Sequence, residues 1–146
     1  MASLIDIAKD PEKRRAIVAD AAKLLDAEVG DKKGFSGKAV KLAFRAVKGV
    51  SPGMIPMSID ALLDDFCAQI QPFWEGAQAA GQGTRAHFLS NSDAIAQALL
   101  AITDVRAQRS TQRVLKSAYS KLRNQAVKHI TDSMPRLADL VERHAS

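Results

Sequence analysis

The side chains with the strongest intrinsic chemistry are few and scattered. The 146 residues hold three histidines, His87, His129 and His144, and one cysteine, Cys67. No histidine stands at i, i+4 from another histidine or an acid in a ligand pattern, and Cys67 has no C-x-x-C partner. No metal and no cofactor is therefore expected. Cys67 follows Phe66 in an apolar-patterned stretch and reads as a small buried hydrophobe, not a nucleophile. Asp64 and Asp65 are adjacent, so on a helix they point to different sides, which suits a solvated face better than paired acid–base work. There is no G-x-S-x-G, no phosphate-binding glycine loop and no dinucleotide fingerprint. Gly81-Gln82-Gly83 is two glycines in a loop. Asp104, Arg106 and Arg109 form a polar cluster that reads as a structural ion pair before an anion site. No nucleophile and base can be paired from the sequence, so an enzyme is the least favoured class.

The pattern that does invite a hypothesis is basic. Lys38, Lys41, Arg45 and Lys48 are spaced 3, 4, 3, and Arg106, Arg109, Arg113 and Lys116 repeat that spacing. At about 100° per residue, each set falls on one side of a helix. Val40, Ala43 and Val47 lie opposite the first row; Leu115, Ala118 and Leu122 lie opposite the second. No acid interrupts Lys32–Ile59 or Val105–Thr131. The plain reading is the wet face of amphipathic helices, but such faces usually mix both signs. The functional reading is a nucleic-acid or other polyanion surface, with lysine and arginine meeting phosphates. Tyr119 is the lone aromatic near the second row, which argues against a stacking platform for single strands. No helix-turn-helix signature is convincing.

Composition sets the frame for both readings. The net charge is +5, from 21 basic and 16 acidic residues, and the excess lies mainly in the C-terminal half. A moderate positive charge favours anionic partners, whether nucleic acid, lipid or acidic protein, without fixing the fold. An apolar fraction of 47% excludes a disordered chain, and 146 residues is the size of one ordinary domain. A lone cysteine cannot close an internal disulfide, and Met1-Ala2-Ser3-Leu4-Ile5-Asp6 lacks the basic start and apolar stretch of a leader. No apolar run approaches the roughly 20 residues of a membrane span. A cytoplasmic location is expected.

The elements that would position these residues are helices. Asp10-Pro11-Glu12 combines an N-cap, a proline at the first helical position and an acid in the first turn, and opens a helix over Pro11–Val29. Ser3–Lys9 reads as a helical turn docking Leu4, Ile5 and Ile7. Ser36 is placed as the cap of a helix over Gly37–Lys48, and Ser58 as the cap of one over Ser58–Phe73, with Pro72 kinking or restarting it. Gly76, Gly81 and Gly83 read as a loop. Thr84–Met134 holds neither Gly nor Pro. One helix of that length, about 75 Å at 1.5 Å per residue, would not fit a domain of this size. Breaks are expected at Ser90-Asn91-Ser92, at Ser110-Thr111 and near Ser120–Asn124. Ser133-Met134-Pro135 opens a last helix. Period-two alternation is absent, so no strand is expected.

The predicted fold is thus all-α: a single compact bundle of about six to eight helices spanning residues 1–146, with no sheet. Leu24, Leu25, Phe44, Leu62, Leu63, Phe66, Ile70, Leu99, Ile102, Leu115, Ile130, Leu137 and Leu140 are the predicted core. The stretches MASLIDIAKDPEKRRAIVAD, SIDALLDDF and AITDVRAQRSTQRVLKSAYSKLRNQAVKHITDSMPRLADLVERHAS resemble a family of small bacterial all-helical proteins of unknown function. That resemblance covers nearly the whole chain, implies a free-standing helical domain and transfers no site residue. Two function classes follow. One is a non-enzymatic interaction or structural module, open to self-association, with Phe73, Trp74 and Phe88 as an apolar contact patch beside the glycine loop. The other is a binder of nucleic acid or another polyanion through the two basic rows. A ligand carrier with an interhelical cavity is a third class without sequence support.

Overall fold

The computed structural model describes residues 3–145; Met1 and Ala2 of the stretch examined for a leader, and the C-terminal Ser146, lie outside them. Among the described residues every regular element is helical, in the order α1 (Leu4–Lys9), α2 (Pro11–Asp31), α3 (Gly34–Val50), α4 (Met54–Ala80), α5 (Thr84–Ser90), α6 (Ser92–Arg109), α7 (Arg113–Leu122), a 3-10 turn (Arg123–Gln125), α8 (Ala126–Asp132) and α9 (Met134–Ala145). The capping chemistry explains the starts. Ser3 Oγ accepts from the Asp6 N–H, and the Asp10 carboxylate accepts from the Lys13 N–H at 3.0 Å with Pro11 at the first helical position. α4 ends where Gly81 takes φ +66°, a left-handed conformation that glycine adopts without steric cost.

The main core gathers where α4, α5, α6 and α9 meet. Phe88, Ile95 and Met134 have no exposed surface, and Leu4, Ile70, Trp74, Leu99 and Ala138 close around them. A second cluster, Ile7, Ala8, Ile17 and Leu63, seats α1 and α2 on α4. Arg14 locks that corner: its guanidinium donates to Asp60 at 2.6 Å, to Asp64 at 2.9 Å and to the backbone carbonyls of Ala8 and Asp60. A third cluster is small: Ala43 and Val47 of α3 meet Ala118 of α7, with Leu115, Leu122, Met54 and Ile55 around them.

The predicted core residues are all buried or half-buried, with Leu63, Ile70 and Leu99 among the most enclosed. Three boundaries differ from expectation. α3 begins at Gly34, so Ser36 lies inside its first turn and the N-cap, Lys33, makes no side-chain bond. α4 begins at Met54 and holds Pro56 in its first turn, where a missing N–H costs nothing. α4 also runs through Pro72 and Gly76 without ending. At Gly76 a Cβ would stand 2.8 Å from His87 Nε2, so the missing side chain makes room for α5.

Candidate functional site

α3 carries the first basic row. Its start is fixed by backbone contact: a Cβ on Gly37 would lie 2.7 Å from the Lys32 carbonyl carbon, so only glycine lets the helix meet the preceding turn. Ser36 Oγ stands 2.9 Å from His129 Nε2 and ties this first turn to α8. Gly37, Val40, Ala43 and Val47 form the inner face, and Lys38, Lys41, Arg45 and Lys48 are all exposed. Lys48 Nζ bonds Asp26 of α2 at 3.0 Å and lies 4.6 Å from the Phe44 ring centre.

The second row is not one helix face. The chain breaks at Ser110–Gln112, leaving Arg106 and Arg109 at the end of α6 and Arg113 and Lys116 at the start of α7. The break is the polar Ser-Thr pair, where the Gln112 N–H donates to Ser110 Oγ at 3.2 Å. Matched spacing therefore misled: helical periodicity does not carry across a break. Arg106 turns to α4, donating to the Ala61 carbonyl at 2.8 Å and lying 3.8 Å from Asp65. Among the described residues Lys38, Lys41, Arg45, Arg109, Arg113 and Lys116 make no ion pair, while Lys48 and Arg106 do. The fold still packs the two acid-free stretches on each other through Ala43, Val47 and Ala118, but these lie opposite the basic residues of both helices, so the rows of α3 and α7 face outward on opposite flanks of the pair.

Between α4, α6 and α7 runs an open groove of about 860 Å³, lined by Leu62, Ala98, Ala101, Ile102, Val105 and Leu115, with Asp65, Arg106 and Arg109 at its rim. Tyr119 and Thr103 also line it. The Tyr119 hydroxyl donates to Asp104 Oδ1, and Arg123 donates to both oxygens of the same carboxylate, at 2.8 Å to Oδ1 and 3.1 Å to Oδ2. Arg123 first, then Tyr119, hold the Asp104 carboxyl below its ordinary range. Burial, then the Asp104 bond, push the Tyr119 phenol up to about 12. The tyrosine is thus a fixed donor in an ion-paired network, and it joins α7 to α6. Of the sequence cluster Asp104, Arg106 and Arg109, the structure joins none to another: Asp104 belongs to Arg123, which the sequence reading missed.

A serine–histidine contact was also missed, for the simple reason that Ser36 and His129 lie 93 positions apart. The cleft around them, about 390 Å³, holds Lys32, Lys33, Lys128 and Arg136 against Glu28, Asp31 and Asp132. Burial first, then Lys32 and Lys128, lower the His129 pKa, with Asp132 opposing. His129 Nδ1 is buried and has no hydrogen-bond partner among the described residues. A general base would need its proton on Nδ1, leaving a buried donor unmet, whereas Nε2–H donating to Ser36 leaves only an unmet lone pair. The second tautomer is cheaper, and in it the serine is not activated. Among the described residues no carboxylate bonds the ring as a triad would require.

Cys67 is half-buried against the core, and burial, then Asp64, push its thiol up to about 11, which keeps it a thiol near neutral pH. Among the described residues no three His, Cys, Asp or Glu gather as a metal site. The expected apolar patch is overturned: Trp74 is 4% and Phe88 0% exposed, and Phe73 packs against the same core. Rings flanking the glycine-bearing segment face inward because α5 folds back on α4 there. The exposed large apolar side chains lie elsewhere, led by Phe35 at 91% and Leu42 at 63%, both on α3. Their signal is the spacing of Phe35, Ala39, Leu42 and Ala46, a second apolar row beside the inner row Val40, Ala43 and Val47. Among the described residues no helix is long and apolar enough to cross a membrane.

Residues 4–145 match a protein family described as a family of unknown function (DUF6918), so the chain belongs to that family. No curated protein and no solved structure matches the chain.

Proposed function

We propose that this member of a family of unknown function is a non-enzymatic binding module whose partner is a polyanion, met by the outer faces of α3 and α7. One observation carries the reading. The two stretches without an acid, Lys32–Ile59 and Val105–Thr131, pack on each other through Ala43, Val47 and Ala118, so the α3–α7 pair carries bases and no acid, with its basic rows on the two flanks turned away from that contact. Six of the eight predicted basic residues have no ion-pair partner among the described residues. Elsewhere the fold pairs its arginines readily, as with Arg14, Arg85, Arg136 and Arg143. Uncompensated charge on exposed side chains raises the local potential and favours a phosphate-rich or sulfate-rich partner. A cytoplasmic location suits a chain with one unpaired cysteine.

The test is retention on immobilised heparin under a salt gradient. The wild type is expected to bind at about 50 mM salt and to elute well before 1 M. The variant Lys38→Glu, Lys41→Glu, Arg113→Glu, Lys116→Glu is expected to flow through with its thermal melt unchanged. Equal elution of the two proteins would sink the reading.

A further inference from the structure

We infer that α3 seats the protein on an anionic lipid surface, with Phe35 and Leu42 entering the headgroup layer between flanking bases. This rests on the polyanion reading and names its partner. The argument is the order of faces around α3. Lys48 bonds Asp26 of α2, so the basic row lies on the α2 side of the helix. Ala43 and Val47 lie against Ala118 of α7. At 3.6 residues per turn, Phe35, Ala39, Leu42 and Ala46 fall between the basic row and the α7 contact. All four are exposed. Tyr119 turns α7 toward Thr103 and Asp104 of α6. On the other side of Ala118, next to α3, come Val114 and Lys121, both exposed. The apolar row is therefore a ridge with Lys38, Lys41 and Arg45 on one flank and Lys121 on the other.

Each rival occupant fits this arrangement less well. A nucleic acid would be met by bases at the centre of the contact, not by a phenylalanine with 91% of its surface exposed. A second copy docking through the same ridge would bring Lys38 and Arg45 against their own equivalents, and like charges across an interface are costly. A folded partner helix is seated by a groove, whereas Phe35 stands out from this face with most of its surface exposed. An anionic bilayer accepts protruding apolar side chains and supplies phosphates to the basic margins of the ridge.

The experiment is co-sedimentation of the full chain with vesicles of phosphatidylglycerol mixed with phosphatidylcholine, and with vesicles of phosphatidylcholine alone. Binding to the first and not the second is expected. The variant Phe35→Ser, Leu42→Ser removes only exposed side chains, so its thermal melt and its heparin elution are expected to match the wild type. Its vesicle partitioning is expected to fall by at least about tenfold, because the inserted apolar area is gone. Unchanged partitioning of that variant would overturn the inference. So would heparin or duplex DNA binding without vesicle binding, which leaves the polyanion reading standing. A wild-type dimer that the double variant abolishes would assign the ridge to a second copy instead. Failure on heparin and vesicles together would overturn both readings.

Discussion

The contact of α5 with α9 and the contact of α3 with α7 are held together by different means. At the first, Phe88, Met134 and Ala138 have no exposed surface, Trp74 and Ile95 complete the enclosure, and Arg85 pairs with Asp139 across the rim. At the second, the buried residues are Ala43, Val47 and Ala118, which remove little apolar area from water. The first region spends its charges in pairs. The second leaves its bases exposed and keeps Phe35 and Leu42 in solvent. Stability and candidate binding chemistry thus sit in separate places. A face whose residues carry little of the folding energy can hold unfavourable features, such as clustered like charge, without unfolding the chain.

The most severe way to test that division is to damage the first region. Phe88→Ala opens a cavity where no side-chain surface is exposed, and large-to-small changes of this kind cost about 3–5 kcal/mol. Thermal melts should show a drop of the order of 10 °C for a chain of this length. Below the new transition, heparin elution should match the wild type. A loss of heparin binding in step with stability would break the division, since it would show the two regions folding as one tightly coupled unit.

The converse test damages the root of α3. Gly37→Ala places a methyl group 2.7 Å from the Lys32 carbonyl carbon, and backbone at both ends leaves little room to yield. Overpacking costs about 1–3 kcal/mol, less than the core cavity. Hydrogen exchange should locate the damage: amides of Leu42–Val47 should lose protection while those around Ile95 and Leu99 keep it. Uniform loss across both would contradict the division.

What the sequence revealed follows the same line. The class of fold was readable because helices announce themselves locally. Asp10-Pro11-Glu12 and Ser133-Met134-Pro135 mark helix starts, and the chain breaks at Ser110-Thr111 as its polar pair suggests. The exposed bases of α3 were readable too, since the inner row Val40, Ala43 and Val47 fixes which side faces out. The missed features depend on packing between distant segments. Nothing in a single helix says that Arg14 will clamp Asp60 and Asp64, that Asp104 will take Arg123, or that His129 will meet Ser36. Trp74 and Phe88 were misplaced because an aromatic beside a glycine reads as a surface feature until α5 is seen folding back over Gly76.

The smallest expected effect is a slope of stability against pH, and it sharpens the comparison by isolating the Ser36–His129 link between α3 and α8. His129 titrates below its ordinary value, through burial first and then Lys32 and Lys128, with Asp132 opposing. The folded protein therefore holds this ring neutral, while the unfolded chain takes up the proton as pH falls through about 6.5. The contribution is complete above that pH and is lost progressively below it, toward the depressed folded value. Asp20 behaves oppositely at the other edge. His144, then Arg143, hold its carboxyl down against burial, so its contribution persists through this range and fails only below about pH 4. Chemical denaturation at pH 7.5 and pH 5.5 should thus show a loss that His129→Gln diminishes, while a loss seen only below pH 4 should survive that substitution. Exchange protection in the first turns of α3 should weaken over the same upper window, because protonating the ring adds a charge beside Lys32 and Lys128. A pH response in that window identical in wild type and His129→Gln would show that the Ser36–His129 contact does not hold α3 to α8.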